Sequence, residues 1–184
     1  MLPSSRTYGF WLALVRIYTG FFWLEHGLGK LHAQPAFGAP GGQLSQFLAL
    51  HVRDSTGPYH EFLTGVVVPN AALFGYAVML GEMTAGALLV AGLFTRVGAL
   101  LGVFLAVNYW LARGGFHALA ASSAGVHGLA ASSGLEMCAA ALTAISLVLP
   151  TGRVLGLDMF WPGSRKRPVA PRAYGGQAPQ QGGA

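Results

Sequence analysis

The chain has 184 residues, of which 53% are hydrophobic and only 9% are charged. A soluble domain usually carries about 25% charged residues, so this composition disfavours a soluble enzyme. The formal charge of +5 comes from basic residues that are too few and too scattered for a nucleic-acid-binding face, so no nucleic acid partner is expected.

Four hydrophobic segments approach the length that a membrane span requires, which is about 20 apolar residues as a helix. Inside a bilayer the backbone must satisfy its own hydrogen bonds, so each segment is predicted to be helical. The predicted spans cover approximately residues 9–31, 71–94, 97–112 and 135–150. The expected fold is therefore an all-α, integral membrane four-helix bundle within residues 9–161, preceded by a cytoplasmic N-terminus at residues 1–8.

Lys and Arg predict the orientation, because cytoplasmic loops carry an excess of both. An inward N-terminus places most of the basic residues on the cytoplasmic side, namely Arg6, Arg96, Arg153, Arg165, Lys166, Arg167 and Arg172, against Lys30, Arg53 and Arg113 outside. Both termini are thus predicted to be cytoplasmic, in a bacterial or archaeal-type cytoplasmic membrane. Residues 162–184, rich in Pro, Gly, Gln and basic residues, are expected to form a disordered tail.

The first outer loop, about residues 32–70, is long for a compact protein. Apolar residues at helical spacing from Leu44 to His51 and from Tyr59 to Val67 predict two short helices. Pro58 suits the first position of the second helix. These helices would lie on the outer membrane surface or cap the bundle, either as part of a site or only for stability.

Polar side chains deep inside the predicted spans are costly and usually face a partner or a cavity. Arg16, Glu82 and Asn108 come out at similar depths when the helical rise is counted from the span ends. We therefore predict a buried polar pocket in which Arg16 meets Glu82 and Asn108 bonds to either. The alternatives are a purely structural ion pair, or a polar site for a lipid-soluble substrate or a proton.

Further ionisable residues cluster at the outer end of the first span. Glu25, His26 and Lys30 are predicted to form an entrance on the outer face, where a quinone head group arriving from the bilayer would need hydrogen-bond donors. The histidines have no tight metal-ligand spacing, so no metal site is predicted. The single cysteine, Cys138, excludes an intrachain disulfide and a redox-active cysteine pair.

Several short motifs together resemble the DoxX/DoxD family of small four-helix membrane proteins. The motif positions are Arg16, Gly27, Lys30, Gly81, Glu82, Gly86 and Arg96, followed by Arg153 and Asp158 near the C-terminal exit. The long first outer loop is similar to the DoxD-like branch. The resemblance implies a membrane subunit of a thiosulfate:quinone oxidoreductase type, with quinone as substrate, no covalently bound cofactor, and partner subunits in the bilayer.

Three functions remain open from the sequence. The first is an integral membrane subunit of a quinone-linked oxidoreductase, with thiosulfate or another sulfur compound as one option for the donor. The second is a non-catalytic accessory subunit of a larger bioenergetic membrane complex. The third is a small proton-coupled transporter that uses Glu82, ranked last because no inverted repeat is visible. The family's catalytic residues carry no settled roles to transfer, so no catalytic residue is assigned.

Overall fold

The structure, a computed structural model, describes residues 5–115, 126–149 and 155–157. All regular structure within these ranges is helical, with no strand, which confirms the all-α prediction. The long helices are α1 (Ser5–Leu31), α4 (Ala71–Ala91), α5 (Thr95–Ala112) and α6 (Val126–Val148). Between α1 and α4 lie two short helices, α2 (Gln43–His51) and α3 (Gly57–Phe62).

Length and composition identify α4 and α5, among the described residues, as helices that could cross a membrane. Helix α1 is longer and continuous, but its apolar sequence is interrupted by Arg16, Glu25 and Lys30. The apolar part of α6, Met137–Val148, is shorter than a full span. The expected four-span membrane bundle therefore stays a prediction, although the four long helices do pack side by side.

A tight turn makes α4 and α5 antiparallel neighbours. Helix α4 ends where Gly92 adopts the left-handed conformation (φ 63°), with its N–H bonded to Leu89 O and that of Leu93 bonded to Leu88 O. Such a glycine termination satisfies carbonyls that the last helical turn leaves open. The turn therefore falls about two residues earlier than the hydropathy pattern predicts.

Glycines fix how α1 lies against α4. A Cβ added at Gly20, Gly27 or Gly86 would lie within 3 Å of the facing helix, so the two backbones approach as closely as small residues allow. The facing pairs are Gly20 with Val90, Leu24 with Gly86, and Gly27 with Met83. These contacts set one antiparallel register for the whole helix pair.

The remaining packing closes the bundle. Helix α4 packs on α5, α5 on α6, and α6 returns to α1. Their shared core includes Trp23, Ala85, Leu89, Ala99, Leu105, Ala106 and Ala139. The Trp23 indole N–H donates to Thr143 Oγ1 at 3.1 Å, which joins α1 to α6 through a buried hydrogen bond.

The segment predicted to form the first outer loop, residues 32–70, has a core of its own and covers one end of the bundle, and we keep the name outer loop for it. Its two predicted short helices are present, with Pro58 in the first turn of α3, and α3 continues as a π-helical turn over Leu63–Val67. The buried members of this second core are Phe37, Leu44, Leu48, Leu63, Val67 and Ala112. Since Ala112 belongs to α5, the loop is anchored to the bundle and is not a free connection.

The last helix is longer than the predicted fourth span. Helix α6 begins at Val126, about nine residues before the expected start. Residues 126–134 contain no proline, so each residue there can contribute its N–H to the helix. The predicted motif positions Arg153 and Asp158 and the predicted tail at 162–184 lie outside the described residues.

Candidate functional site

A carboxylate lies at the point where three long helices meet. Glu82 of α4 is fully buried. Its Oε2 accepts a hydrogen bond from Lys30 Nζ of α1 at 2.6 Å, and its Oε1 accepts one from the Tyr109 hydroxyl of α5 at 2.7 Å. A buried charge is stable only when it is paired and its remaining lone pairs are satisfied, and this arrangement provides both conditions.

The register of α1 and α4 explains why Lys30, and not Arg16, is the partner of Glu82. With Gly27 packed on Met83, the side chain one turn further along α1 reaches the carboxylate. Arg16 lies instead against Gly92 at the end of α4, and its Nη2 donates to Leu155 O at 2.7 Å. Gly92 follows Glu82 by ten residues, or about 15 Å of helix rise. The predicted meeting of Arg16 and Glu82 is therefore wrong.

Asn108 is also misplaced in the predicted pocket. Its amide Nδ2 donates to Phe104 O at 2.8 Å, and its backbone carbonyl accepts a hydrogen bond from the Tyr59 hydroxyl at 3.1 Å. The next residue, Tyr109, reaches Glu82, because one residue along an α-helix turns the side chain by about 100°. Asn108 therefore joins α5 to the outer loop, while its neighbour completes the polar site.

A cavity of about 300 Å³ opens at the ion pair. Its polar lining consists of His26, Lys30, Gln43, Glu82, Tyr109 and Arg113, and its apolar lining of Phe22, Trp23, Phe37, Leu44, Phe47 and Ala139. The volume is at the lower end of the range for small-molecule sites, and the mixture of aromatic walls with a few convergent polar groups is typical of them. We call this space the polar cavity.

The outer loop closes one side of the polar cavity, and its aromatic rings lie beside the cations Lys30 and Arg113. Lys30 Nζ lies 5.2 Å from the centre of the Phe37 ring and 5.7 Å from that of Tyr109. The Arg113 guanidinium lies 5.6 Å from the centre of the Phe47 ring. Such distances permit cation–π attraction, which holds both cations beside aromatic faces without neutralising them.

His26 offers a nitrogen lone pair at the cavity wall. Its Nδ1 lies 2.8 Å from Phe22 O, and since a carbonyl only accepts, the proton of the neutral ring is assigned to Nδ1. This leaves Nε2 as the acceptor, or as a second donor when the ring is charged. The imidazole also stacks on the Phe22 ring, with 4.2 Å between centroids. His26 is thus held in one orientation at the wall of the polar cavity.

The predicted outer entrance divides between two faces of α1. His26 and Lys30 line the polar cavity, whereas Glu25 is exposed and does not line it. One residue of helical rotation separates Glu25 from His26. Among the residues that the structure describes, no group of three or more His, Cys, Asp or Glu side chains could hold a metal ion.

Sequence reasoning missed the contributions of α5 and the outer loop to this site. Tyr109 and Arg113 stand four residues apart and so share one helical face, which is the signal that could have identified them. Gln43 and Phe47 share a face of α2 in the same way. None of these residues is unusual by itself, and only the packing of the loop over the bundle brings them to Glu82.

The predicted motif glycines and Arg96 have structural positions around the site. Gly27 and Gly86 allow the close approach of α1 and α4, as described above. At Gly81, by contrast, an added Cβ would meet only Leu105 and Leu101 side chains, at 3.5 Å or more. Arg96 is exposed in the first turn of α5, remote in sequence from the polar cavity.

Comparison with known proteins gives one match. The DoxX family model matches residues 11–114, which is more than half of the chain. The matched region runs from α1 through α5 and includes Lys30, Glu82, Tyr109 and Arg113. Neither the curated proteins nor the solved structures provide a match.

Proposed function

This chain belongs to the DoxX family, and on that premise we propose that it binds a membrane-soluble quinone at the polar cavity, as the integral membrane subunit of an oxidoreductase. The family and the two apolar helices make it a membrane protein. The buried site formed by Lys30, Glu82 and Tyr109, open to a cavity with aromatic walls, is the observation that carries the proposal.

The distribution of exposed side chains supports α1 as a membrane span beside α4 and α5. Large apolar residues face outward along the long helices, namely Phe10, Trp11, Leu14, Tyr18 and Phe21 of α1, Leu73, Tyr76 and Leu80 of α4, and Val97, Leu100 and Phe104 of α5. The charges of Arg16 and Glu82 are directed inward and fully buried. Burial of these two charges together with outward-facing aromatic and aliphatic residues suits a lipid environment, while the exposed Glu25 and Arg96 lie near helix ends. With both termini cytoplasmic, the polar cavity lies toward the outer leaflet.

The polar cavity has the groups that a quinone head requires. A quinone ring presents two carbonyl oxygens that accept hydrogen bonds, and Lys30, Arg113 and Gln43 bring donors to the same space. The faces of Phe22 and Phe47 offer surfaces on which a flat ring can stack. Because Glu82 compensates the charge of Lys30, the site can remain polar without carrying a large net charge within the membrane.

Reduction of a quinone to a quinol takes two electrons and two protons. This chain provides proton-exchanging groups, with His26 at the cavity wall and the Tyr109 hydroxyl on Glu82. We assign the electrons to a partner subunit that oxidises the donor, with thiosulfate or another sulfur compound as the class that the family resemblance implies. In this proposal the chain holds the quinone and manages its protons, and the partner performs the donor chemistry.

Quinone binding is the direct test. Trp23 lines the polar cavity, so quenching of tryptophan fluorescence by a bound quinone reports occupancy in detergent or nanodiscs. The Lys30→Met/Glu82→Gln double variant removes both charges and leaves an amide to accept the Tyr109 hydroxyl. We expect its quinone affinity to fall at least tenfold, equivalent to about 1.4 kcal/mol.

Glu25→Gln is the matched control, since it removes an exposed carboxylate from the same helix and should leave the affinity unchanged. Equal affinity of the double variant and the wild type would contradict the proposal. If the folded wild-type protein binds no quinone but co-purifies with other subunits at fixed stoichiometry, it is an accessory subunit. Proton-dependent flux in liposomes without quinone chemistry would instead indicate the transporter.

A further inference from the structure

A second cavity, of about 270 Å³, adjoins the polar cavity and differs from it in chemistry. Aliphatic and aromatic side chains from α2, the segment following α3, α4 and α5 line nearly all of it, among them Leu48, Leu63, Val67, Val78, Leu101 and Leu105. No charged side chain belongs to its lining. We call this space the apolar cavity.

Three side chains line both cavities. Leu44 and Phe47 of α2 and Tyr109 of α5 face the polar cavity on one side and the apolar cavity on the other. The rings of Phe47 and Tyr109 meet edge to face, with centroids 6.2 Å apart. The two cavities therefore adjoin, and the side chains of Leu44, Phe47 and Tyr109 stand between them.

The apolar cavity reaches the outward surface of α4 and α5. Ala77 and Phe104 line it and are both exposed, the latter with 61% of its surface accessible. In a membrane-spanning arrangement this is the surface that acyl chains cover. Gly81 adds to the available space, because the position lacks a side chain and a Cβ there would still stand 3.5 Å from Leu105.

We propose that the apolar cavity receives the isoprenoid tail of the quinone, so that the ligand enters sideways from the bilayer between α4 and α5, with its head at Glu82 and its tail passing Phe47. This inference rests on the proposed function. An apolar cavity of about 150 Å³ holds one benzene, so 270 Å³ accommodates roughly two isoprene units. The rest of the tail remains among the lipids.

The position of the tail, rather than affinity alone, is the informative measurement. A tail gains little on moving from lipid into an apolar cavity, since acyl chains are as apolar as leucine. The probe is therefore a benzoquinone with a two-isoprene tail that carries a diazirine on its second unit. After illumination in nanodiscs, we expect cross-links on the α4 and α5 residues of the apolar cavity, mapped by mass spectrometry.

A variant that fills the apolar cavity tests whether the tail lies there. Gly81→Leu fills the space beside Leu105 and should reduce these cross-links at least fivefold while leaving the affinity for a tail-free benzoquinone unchanged. Gly29→Leu is the matched control, because nothing lies within 4 Å of a Cβ at that position, and its cross-links should equal those of the wild type. Should Gly81→Leu fail to fold, Ala77→Phe blocks the exposed mouth of the same cavity.

The outcomes separate this inference from the proposed function. If the wild type binds no tail-free benzoquinone at the polar cavity, the proposed function fails. If the tail-free compound binds but the tailed probe labels other helix faces, or labels both glycine variants equally, the apolar cavity is not the tail site. Labelling by a diazirine phospholipid that the tailed quinone does not displace would also overturn the inference, because the occupant would then be a lipid.

Discussion

Arg16 and Glu82 are both fully buried charges on helices that pack against each other, yet their surroundings differ. The Arg16 guanidinium lies beside Gly92 at the end of α4 and donates to Leu155 O. Glu82 has an ion-pair partner and a phenol, and it lines a cavity where His26 and Arg113 also lie. Both positions share the cost of burial, so burial alone does not identify a site. The space beside Glu82 and the other polar groups around it make the difference.

The two charges also act on different parts of the chain. A cation at the C-terminal end of a helix interacts favourably with the helix dipole, and Arg16 occupies that position on α4. Its hydrogen bond to Leu155 joins the segment after α6 to α1, which is a stabilising role. Glu82 joins three long helices at the level where the outer loop covers them. We therefore expect variants of Arg16 to change the stability of the protein alone. Variants of Glu82 and its partners should change both stability and quinone binding.

The largest effect is expected from Glu82→Ala. This change leaves Lys30, whose side chain is only 12% exposed, without its counter-ion, and removing one partner of a buried pair costs about 3–5 kcal/mol. The Lys30→Met/Glu82→Ala double variant should recover part of that loss, because no unpaired charge remains. Unfolding in mixed micelles measures both. If the losses of Glu82→Ala and Lys30→Met, each measured alone, sum to the loss of the double variant, the pair is not coupled.

The next largest effect is expected from Arg16→Met, which should lower the free energy of unfolding by about 2–3 kcal/mol. The substitution keeps much of the volume but removes a charge-assisted hydrogen bond to Leu155 O in a fully buried place. Arg96→Met, an exposed residue on the same side of the molecule as the α4–α5 turn, should stay within about 0.5 kcal/mol. The folded fraction of Arg16→Met should bind quinone with the same affinity as the wild type. Reduced affinity in that fraction would extend the site to Arg16.

The sequence predicted the helices well because hydropathy and helical spacing depend on local residues. Lys30 and Glu82 were found in the same way, as charges in apolar helices. Their pairing was missed because depths were counted from span ends, whereas α1 begins at Ser5 and α4 ends at Ala91. The true register depends on glycine contacts between two helices, which hydropathy does not report.

The residues that close the polar cavity on the side of the outer loop could not be predicted either, because their positions also depend on tertiary packing. Phe37, Phe47 and Arg113 reach the polar cavity only because the outer loop folds over α5, and this packing depends on contacts between residues far apart in the sequence. Counting the helical rise places Asn108 at the depth of Glu82, but Tyr109 lies only about 1.5 Å further along α5 and its side chain is turned by about 100°. Because of this difference of one residue, Tyr109 bonds to Glu82, whereas Asn108 bonds to Tyr59 of the outer loop.

Tyr109→Phe tests the third contact of Glu82 with the smallest change of shape. The variant loses one hydroxyl that donates to the carboxylate at 2.7 Å, and a hydrogen bond to a charged group contributes about 1.5–3 kcal/mol. We expect a loss of stability in this range together with a several-fold weaker quinone affinity. Tyr76→Phe, on the exposed side of α4, should change neither quantity. Unchanged affinity in Tyr109→Phe would limit the phenol to a structural role.

The smallest effect concerns the cover of the outer end and depends on pH. Burial raises the pKa of the Tyr59 phenol above its ordinary value of about 10, while the hydroxyl donates to Asn108 O at 3.1 Å. The unfolded chain therefore loses the phenolic proton first, so the stability from Tyr59 is complete below pH 10 and declines as the pH rises through the folded-state pKa. In Tyr59→Phe this part of the decline should disappear, and below pH 10 the variant should be about 1 kcal/mol less stable because one hydrogen bond is lost. Unfolding curves at pH 9 and pH 11 for both proteins measure the difference. An equal decline in both would mean that the phenol is solvated and that the outer loop does not seal this end of the bundle.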